Sequence, residues 1–281
     1  MADGPEREGL IPVNAAPSIT AIIPARNEAH RIRDCIESLR YFADEILVIV
    51  DETNTDDTPA VSESCGARVL HIGHHRTSVE LADKEGFLHA KGEWLFMIDA
   101  DEHLTPTLAE RLREVARDGR YAGVRYARKN MMFGAWAKHG GWFRSDQLRF
   151  FRSDSWDRSW IATGHSQVPV RGDILTLPAC EDFATVHWDY DNVPQFIHRT
   201  LWRYSQQEAQ ERWEMGLQFS PLRLIFKPAK RFFGRYFLRG GWRDGQRGLI
   251  LAALLAGYDL CTEMCLWDVD RRHGTSGDNK H

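Results

Sequence analysis

The densest chemistry in the chain is Asp99-Ala100-Asp101-Glu102, which follows directly on the apolar run Trp94-Leu95-Phe96-Met97-Ile98. A short apolar run of that kind reads as a buried strand, and open α/β sheets bind their ligands outside the carboxyl ends of their strands. Hard divalent cations take oxygen ligands such as paired carboxylates. Asp99 and Asp101, one on each side of a bend, are spaced to hold Mg²⁺ or Mn²⁺ while the metal grips a diphosphate. A strand end simply solvated by acids would read the same, and this motif alone does not separate the two.

Other strand ends carry polar groups as well. Ile19 to Pro24 reads as a buried strand leading into Pro24-Ala25-Arg26-Asn27-Glu28, and Glu45 to Val50 as a second that ends in Asp51-Glu52-Thr53-Asn54. Between them Ile32, Cys35, Ile36 and Leu39 recur at helical spacing. Asp57 to Cys65 is helical and closed by Gly66, Arg68 to Ile72 is a third strand, and a helix from Ser78 to Ala90 leads to the run ending at Asp99. Thr105-Pro106 starts the next helix as N-cap and N1. Strands alternating with helices imply a mainly parallel sheet with helices on both faces, so the three polar ends can meet in one crevice. A carboxylate at Asp51 suits the ring N–H of a uracil-like base, although Asp51 to Asp56 also fits an Asx-rich turn capping the next helix. Lys84 could add a point charge at a diphosphate or be an ordinary solvated lysine. His71, His74 and His75 form a local group better read as surface than as a metal site.

From Tyr121 the alternation stops. Gly123 to Arg128 and Gln147 to Arg152 read as strands around the Gly-Trp-rich loop His139-Gly140-Gly141-Trp142, which should face an acceptor. The expected organisation is a disordered stretch at 1–17, a nucleotide-binding half at 18–118, an acceptor half at 119–192, a helical extension at 193–269 and a polar tail at 270–281. The 43% hydrophobic content suffices for a large core, and a net charge of −4 argues against general nucleic-acid binding. Five cysteines without framework spacing suit a reducing compartment, and the amino terminus lacks the layout of a signal peptide. No segment is expected to reach the length of a membrane span, since the longest apolar run covers only Leu249 to Tyr258.

Taken together, Ile22-Ile23-Pro24-Ala25-Arg26-Asn27-Glu28, Asp44 to Asp51, Asp99-Ala100-Asp101-Glu102, and Gly140-Gly141-Trp142 followed by Asp146-Gln147-Leu148-Arg149-Phe150-Phe151-Arg152 resemble the family 2 inverting glycosyltransferases. The nearest branch includes lipopolysaccharide-core β-glucosyltransferases, and the resemblance runs from Ser18 to Asp268. It implies a GT-A fold, a Rossmann-like mainly parallel sheet, with a nucleoside-diphosphate sugar donor, UDP-linked by preference, and a divalent metal cofactor. On the same resemblance Asp99 and Asp101 fall on the metal and donor motif, Asp51 on the nucleobase acid, Asp146 on the catalytic base, and His187 on a histidine that completes the metal shell. His165-Ser166 stands where relatives read His-Glu, so an acid is missing on the acceptor side. Asp51-Glu52-Thr53-Asn54 departs from the Asp followed by small Ser and Gly common in relatives.

Eight basic residues between Arg223 and Arg247 recur at about every fourth position among Leu, Ile, Phe and Trp, against Asp244 alone. That pattern reads as a helical element lying on an anionic membrane surface, with Arg235, Arg239 and Arg243 on the headgroups and Pro221 and Pro228 dividing it. The alternative is a helix that packs its Phe and Leu on the core and solvates its Arg. The expectation is a sugar transferase acting on a membrane-associated glycan or glycolipid at the cytosolic leaflet. The rivals are a polyprenyl-phosphate glycosyltransferase and a catalytically silent sugar-nucleotide-binding protein.

Overall fold

The computed structural model describes residues 16–73, 79–160 and 167–274, apart from the side chains of 79–81, 145 and 146. The expectations for residues 1–15, His74, His75, Ser78, His165, Ser166 and 275–281 therefore lie outside the described residues, as does the side chain of Asp146.

Four strands, β1 (Ile19–Ala25), β2 (Glu45–Asp51), β3 (Arg68–Ile72) and β4 (Trp94–Met97), run parallel in the order β3-β2-β1-β4. They are joined by α1 (Ile32–Leu39), α2 (Thr58–Ser64) and α3 (Val79–His89). The central strands are apolar throughout because both of their faces are covered. Ile19, Ala21, Ile23, Val48 and Phe96 pack with Ile32, Ile36 and Leu39 of α1, while Ile22, Leu47, Ile49 and Leu95 pack with Phe87 of α3. Gly86 lets α3 sit this close, since a Cβ there would stand 2.4 Å from Ile22 Cγ2.

Beyond β4 the sheet turns mixed. β5 (Glu102–His103), α4 (Pro106–Asp118), β6 (Gly123–Met132), β7 (Ala135–Trp136), β8 (Ser145–Arg152), β9 (Ile174–Thr176) and β10 (Ala184–Tyr190) follow along the chain. The full path is β3-β2-β1-β4-β8-β6-β10-β5, with β7 and β9 pairing on β6. This is the GT-A arrangement that the resemblance implies. Pro106 opens α4 as expected, but the Thr105 hydroxyl does not cap it; it donates to the Ala184 carbonyl at 3.1 Å and ties α4 to β10.

The helical extension comprises α5 (Val193–Phe196), a π-helical stretch Ile197–Tyr204, α6 (Ser205–Glu214), α7 (Pro221–Phe233), a second π-helical stretch Gly234–Leu238 and α8 (Gly245–Gly274). Two expectations are corrected here. Pro228 lies inside a continuous α7 rather than dividing it, and α8 belongs to a helical segment, Gly241–His273, long and apolar enough to cross a membrane by length and composition. Local apolar runs miss it because Asp259 and Glu263 interrupt them, and both carboxylates are buried. Asp259 is met by Lys227 at 3.3 Å and by Arg231, and Glu263 by Arg212 at 3.0 Å and Arg223 at 3.2 Å.

The basic stripe is thus turned inward over much of its length. Arg223, Lys227 and Arg231 face α8, while of the three residues assigned to headgroups Arg239 and Arg243 are exposed, Arg243 over the Trp242 ring, and Arg235 is half-buried. Arg235 and Arg239 meet the Gly140-Gly141-Trp142 loop. Besides Lys230, Arg239 and Arg243, the outward side carries large apolar residues: Leu222, Ile225, Phe226, Phe233, Phe237, Leu238 and Trp242 are each more than half exposed. Buried carboxylates on α8 select which face of α7 points in, because an unpaired buried charge costs more than an exposed phenyl ring.

Candidate active site

The register of the parallel strands brings the polar ends to one edge. Ala25 lies beside Val50, one residue before Asp51, and Ile22 lies beside Met97, two before Asp99. Past β1 and β2 the two loops are locked together. Asn27, in the left-handed region at φ 59°, donates its N–H to Asn54 Oδ1 at 2.9 Å and accepts from the Thr55 N–H at 2.8 Å. Asp56 accepts from the N–H groups of Ala29 and Thr58. Arg26 and Glu52 are exposed at this rim, Pro24 is half-buried, and Asp51 Oδ1 accepts from the Thr53 N–H at 2.8 Å, closing an Asx turn.

Asp99 and Asp101 part ways. Asp99 Oδ2 is met by Arg149 at 2.8 Å and by Arg128 at 3.5 Å, and the same guanidiniums reach the fully buried Glu102 at 3.5 and 3.0 Å. Burial would raise the Asp99 pKa, but Arg149 and Arg128 outweigh it and hold the carboxyl at about 2. Asp101 stands 3.4 Å from His187 Nε2 and 3.8 Å from Arg31. Its carbonyl accepts from the Trp188 N–H, while the neighbouring Ala100 is buried in the core.

His187 owes its position to β10, which runs between β5 and β6, so that His187 lies beside Glu102 on one side and Asn130 on the other. Asn130 Oδ1 bonds His187 Nδ1 at 2.8 Å, and Asn130 Nδ2 donates to the Trp142 carbonyl at 2.9 Å. Burial pulls the imidazole toward its neutral form, but the hydrogen bond to Asp101 and nearby carboxylates raise its pKa overall. Glu28 completes the group: burial and the charge of Asp101 push its pKa to about 7, and its Oε2 is buried without a partner.

Asp101 and His187 offer one oxygen and one nitrogen to a cation, with Glu28 Oε2 nearby as an unsatisfied acceptor. Among the described residues no group of three His, Cys, Asp or Glu could hold a metal ion by itself. Such a set fits Mg²⁺-type binding, in which one or two carboxylates share the ion with substrate phosphates. Asp99, taken with Asp101 as a ligand from the sequence, is met here by two arginines. Lys84 donates to the Trp160 carbonyl at 2.6 Å. Arg31, Arg128, Asn130 and Arg149 were not singled out from the sequence. A lone cation such as Arg149 within the apolar Leu148-Arg149-Phe150 was the one local signal, because an acid cluster at a strand end needs a counter-charge.

Comparison with known proteins agrees with this geometry. A model described as "Glycosyl transferase family 2" matches residues 20–169. The chain is 27% identical over 248 residues to the lipopolysaccharide core biosynthesis glycosyltransferase LpsC of Rhizobium meliloti, covering 87% of this chain and 90% of that protein. It is 25% identical over 255 residues to an uncharacterized glycosyltransferase of Rickettsia felis, covering 85% of each. Glucosyl-3-phosphoglycerate synthase from Mycobacterium tuberculosis, solved with Mn²⁺ and UDP, aligns over 39% of this chain and 43% of its own at 22% identity and a TM-score of 0.35, too low to carry argument. A family match across more than half of the chain, on a sheet whose strand ends gather Asp101, His187 and Glu28, shows that this protein belongs to glycosyl transferase family 2.

Proposed function

We propose that this family 2 glycosyltransferase is metal-dependent and inverting, and moves a sugar from a UDP-sugar to a hydroxyl of a membrane-associated acceptor such as a lipid-linked glycan or lipopolysaccharide core. The observation that carries the reading is the Asp101–His187 pair, 3.4 Å apart at the carboxyl edge of the parallel strands. Asp101 and His187 would hold the divalent cation, which when bound neutralises the departing diphosphate. Asp51 would accept from the ring N–H of the base at the end of β2. Asp146, at the start of β8, would take the acceptor hydroxyl's proton as its oxygen attacks the anomeric carbon from the face opposite the leaving UDP. Asn130 keeps the His187 ring oriented and ties it to the Gly140-Gly141-Trp142 loop on the acceptor side.

The extension supports a place at the cytosolic face of a membrane. Seven side chains of α7 and the turn after it, from Leu222 to Trp242, are large, apolar and exposed, and surfaces of that kind mark interaction sites. The test is a thermal-shift screen of UDP-, GDP- and TDP-sugars with and without Mn²⁺, followed by an assay for released UDP. Stabilisation confined to UDP-sugars with Mn²⁺, and slow UDP release, are expected. No stabilisation by any nucleotide sugar in either condition would overturn the reading.

A further inference from the structure

Two arginines of the helical extension converge on the acceptor-side loop. Arg235 Nη1 donates to the Gly140 carbonyl at 2.8 Å, and its guanidinium lies 5.2 Å over the Trp142 ring. The Gly140 N–H donates to the Arg239 carbonyl at 2.9 Å. The Arg239 side chain passes so close to Gly141, at φ 80°, that a Cβ there would stand 2.8 Å from its Cδ and 3.1 Å from its Nη1, with Arg235 Nη1 at 3.5 Å. Two guanidiniums therefore meet over one glycine.

Their lack of compensation sets them apart within the extension. Arg212, Arg223, Lys227 and Arg231 are all paired with Asp259 or Glu263. Among the described residues neither Arg235 nor Arg239 has a carboxylate within ion-pair distance. Burial and the charges of Arg239, Arg231 and Arg144 pull Arg235 down to about 10, a cost that a bound anion would remove. Converging planar donors are the arrangement that recognises phosphate or carboxylate. Trp142, under Arg235, is joined through Asn130 to His187 and so to Asp101.

We propose that Arg235 and Arg239 form an anion subsite beside the Gly140-Gly141-Trp142 loop, which binds a phosphate or carboxylate group carried by the acceptor next to the hydroxyl that is glycosylated. The subsite rests on the sugar-transfer reading, because it describes the acceptor side of the same site. It also gives these residues a role that headgroup contact did not: the extension becomes part of the site.

The full-length protein, saturated with UDP and Mn²⁺ so that the donor side is filled, is titrated with inorganic phosphate by calorimetry. Saturable binding is expected, weakened roughly tenfold in Arg239→Gln and in Arg235→Lys, each of which removes part of a charged, bidentate contact. Stabilisation of both variants by UDP and Mn²⁺ reports that they are folded. Displacement of phosphate by glucose 6-phosphate assigns the anion to a soluble sugar phosphate. Displacement by phosphatidylcholine vesicles containing phosphatidic acid, and not by phosphatidylcholine alone, assigns it to a lipid headgroup. Equal phosphate binding in all three proteins, or none in the wild type while UDP still binds, overturns the subsite alone; absence of UDP binding in the wild type overturns the donor reading and the subsite with it.

Discussion

Arg149 Nη1 stands 2.8 Å from Asp99 Oδ2, and the same nitrogen is 3.5 Å from the fully buried Glu102. The guanidinium therefore neutralises two acids at once, one at the rim of the site and one beneath it. Arg149→Met keeps the bulk and removes the charge. It is expected to destabilise the protein by about 3 kcal/mol, because two acids, Asp99 and the buried Glu102, are left to share the single charge of Arg128. Urea denaturation measures the change, and Arg149→Met/Glu102→Gln should recover part of the loss. A double variant no more stable than the single one would show that Glu102 is not what Arg149 compensates.

The separation of Asp99 from Asp101 gives their variants different signatures. Asp101→Asn should abolish the Mn²⁺ dependence of UDP binding, because it removes the carboxylate facing His187. Asp99→Asn should cost stability while UDP affinity still responds to Mn²⁺, because Asp99 is held by Arg149 and Arg128. Calorimetric titration of UDP with Mn²⁺ or with EDTA distinguishes them. Identical behaviour of the two variants would return Asp99 to the cation.

What could be read from the sequence was local, and what could not was the pairing of distant segments. The first four strands announce themselves because each is an apolar run closed by polar or glycine residues, at Arg26, Asp51, Gly73 and Asp99, and α1 because Ile32, Cys35, Ile36 and Leu39 share a face, all buried. Asp101 was legible from its place after an apolar run, but His187 only through a family resemblance, since nothing within its segment points to Asp101. Asn130 had no signal: it meets His187 across 57 residues only because β6 and β10 lie side by side. The basic stripe was only partly legible for the same reason. Counting every fourth Arg does not show which of the charges turn inward: Asp259 draws Arg231 from 28 residues away and Glu263 draws Arg223 from 40.

Glu28 carries a pH signature. Burial and Asp101 raise its carboxyl pKa from 4.5 to about 7, so the folded protein holds this proton more tightly than the unfolded chain does. The linked stability is full below pH 4.5 and is lost as pH rises toward 7, since folding must then either keep the proton or bury the charge. In EDTA, Glu28→Gln should match the wild type at low pH and exceed it by on the order of 2 kcal/mol once Glu28 ionises. Thermal melts across that range measure the difference. Parallel curves for the two proteins would mean that Glu28 titrates normally.

Asp146→Asn separates hydroxyl from phosphate acceptors. A hydroxyl must lose its proton as it attacks, so loss of the base should lower turnover by at least ~10²-fold while UDP affinity is unchanged. A polyprenyl phosphate is already ionised and needs no base. Turnover close to wild type in Asp146→Asn, measured as sugar transferred rather than as UDP released, would favour that second chemistry.

The extension makes opposite predictions for its charges and its apolar residues. If cations held the protein to lipid, binding would weaken steeply with salt and vanish on charge reversal of Arg235, Arg239 and Arg243. The fold places two of those three on the Gly140-Gly141-Trp142 loop and turns Phe226, Phe237 and Leu238 outward, at 64%, 53% and 88% exposure. Apolar insertion is insensitive to salt and scales with the area buried, at about 25 cal/mol per Å². Phe226→Glu/Leu238→Glu should therefore release the protein from phosphatidylcholine–phosphatidylglycerol vesicles in a flotation assay, and raising the salt should not. Both positions are mostly exposed, so the variant should melt within a few degrees of the wild type. Salt-sensitive binding that survives Phe226→Glu/Leu238→Glu would return the contact to the arginines and leave the apolar face without a lipid partner.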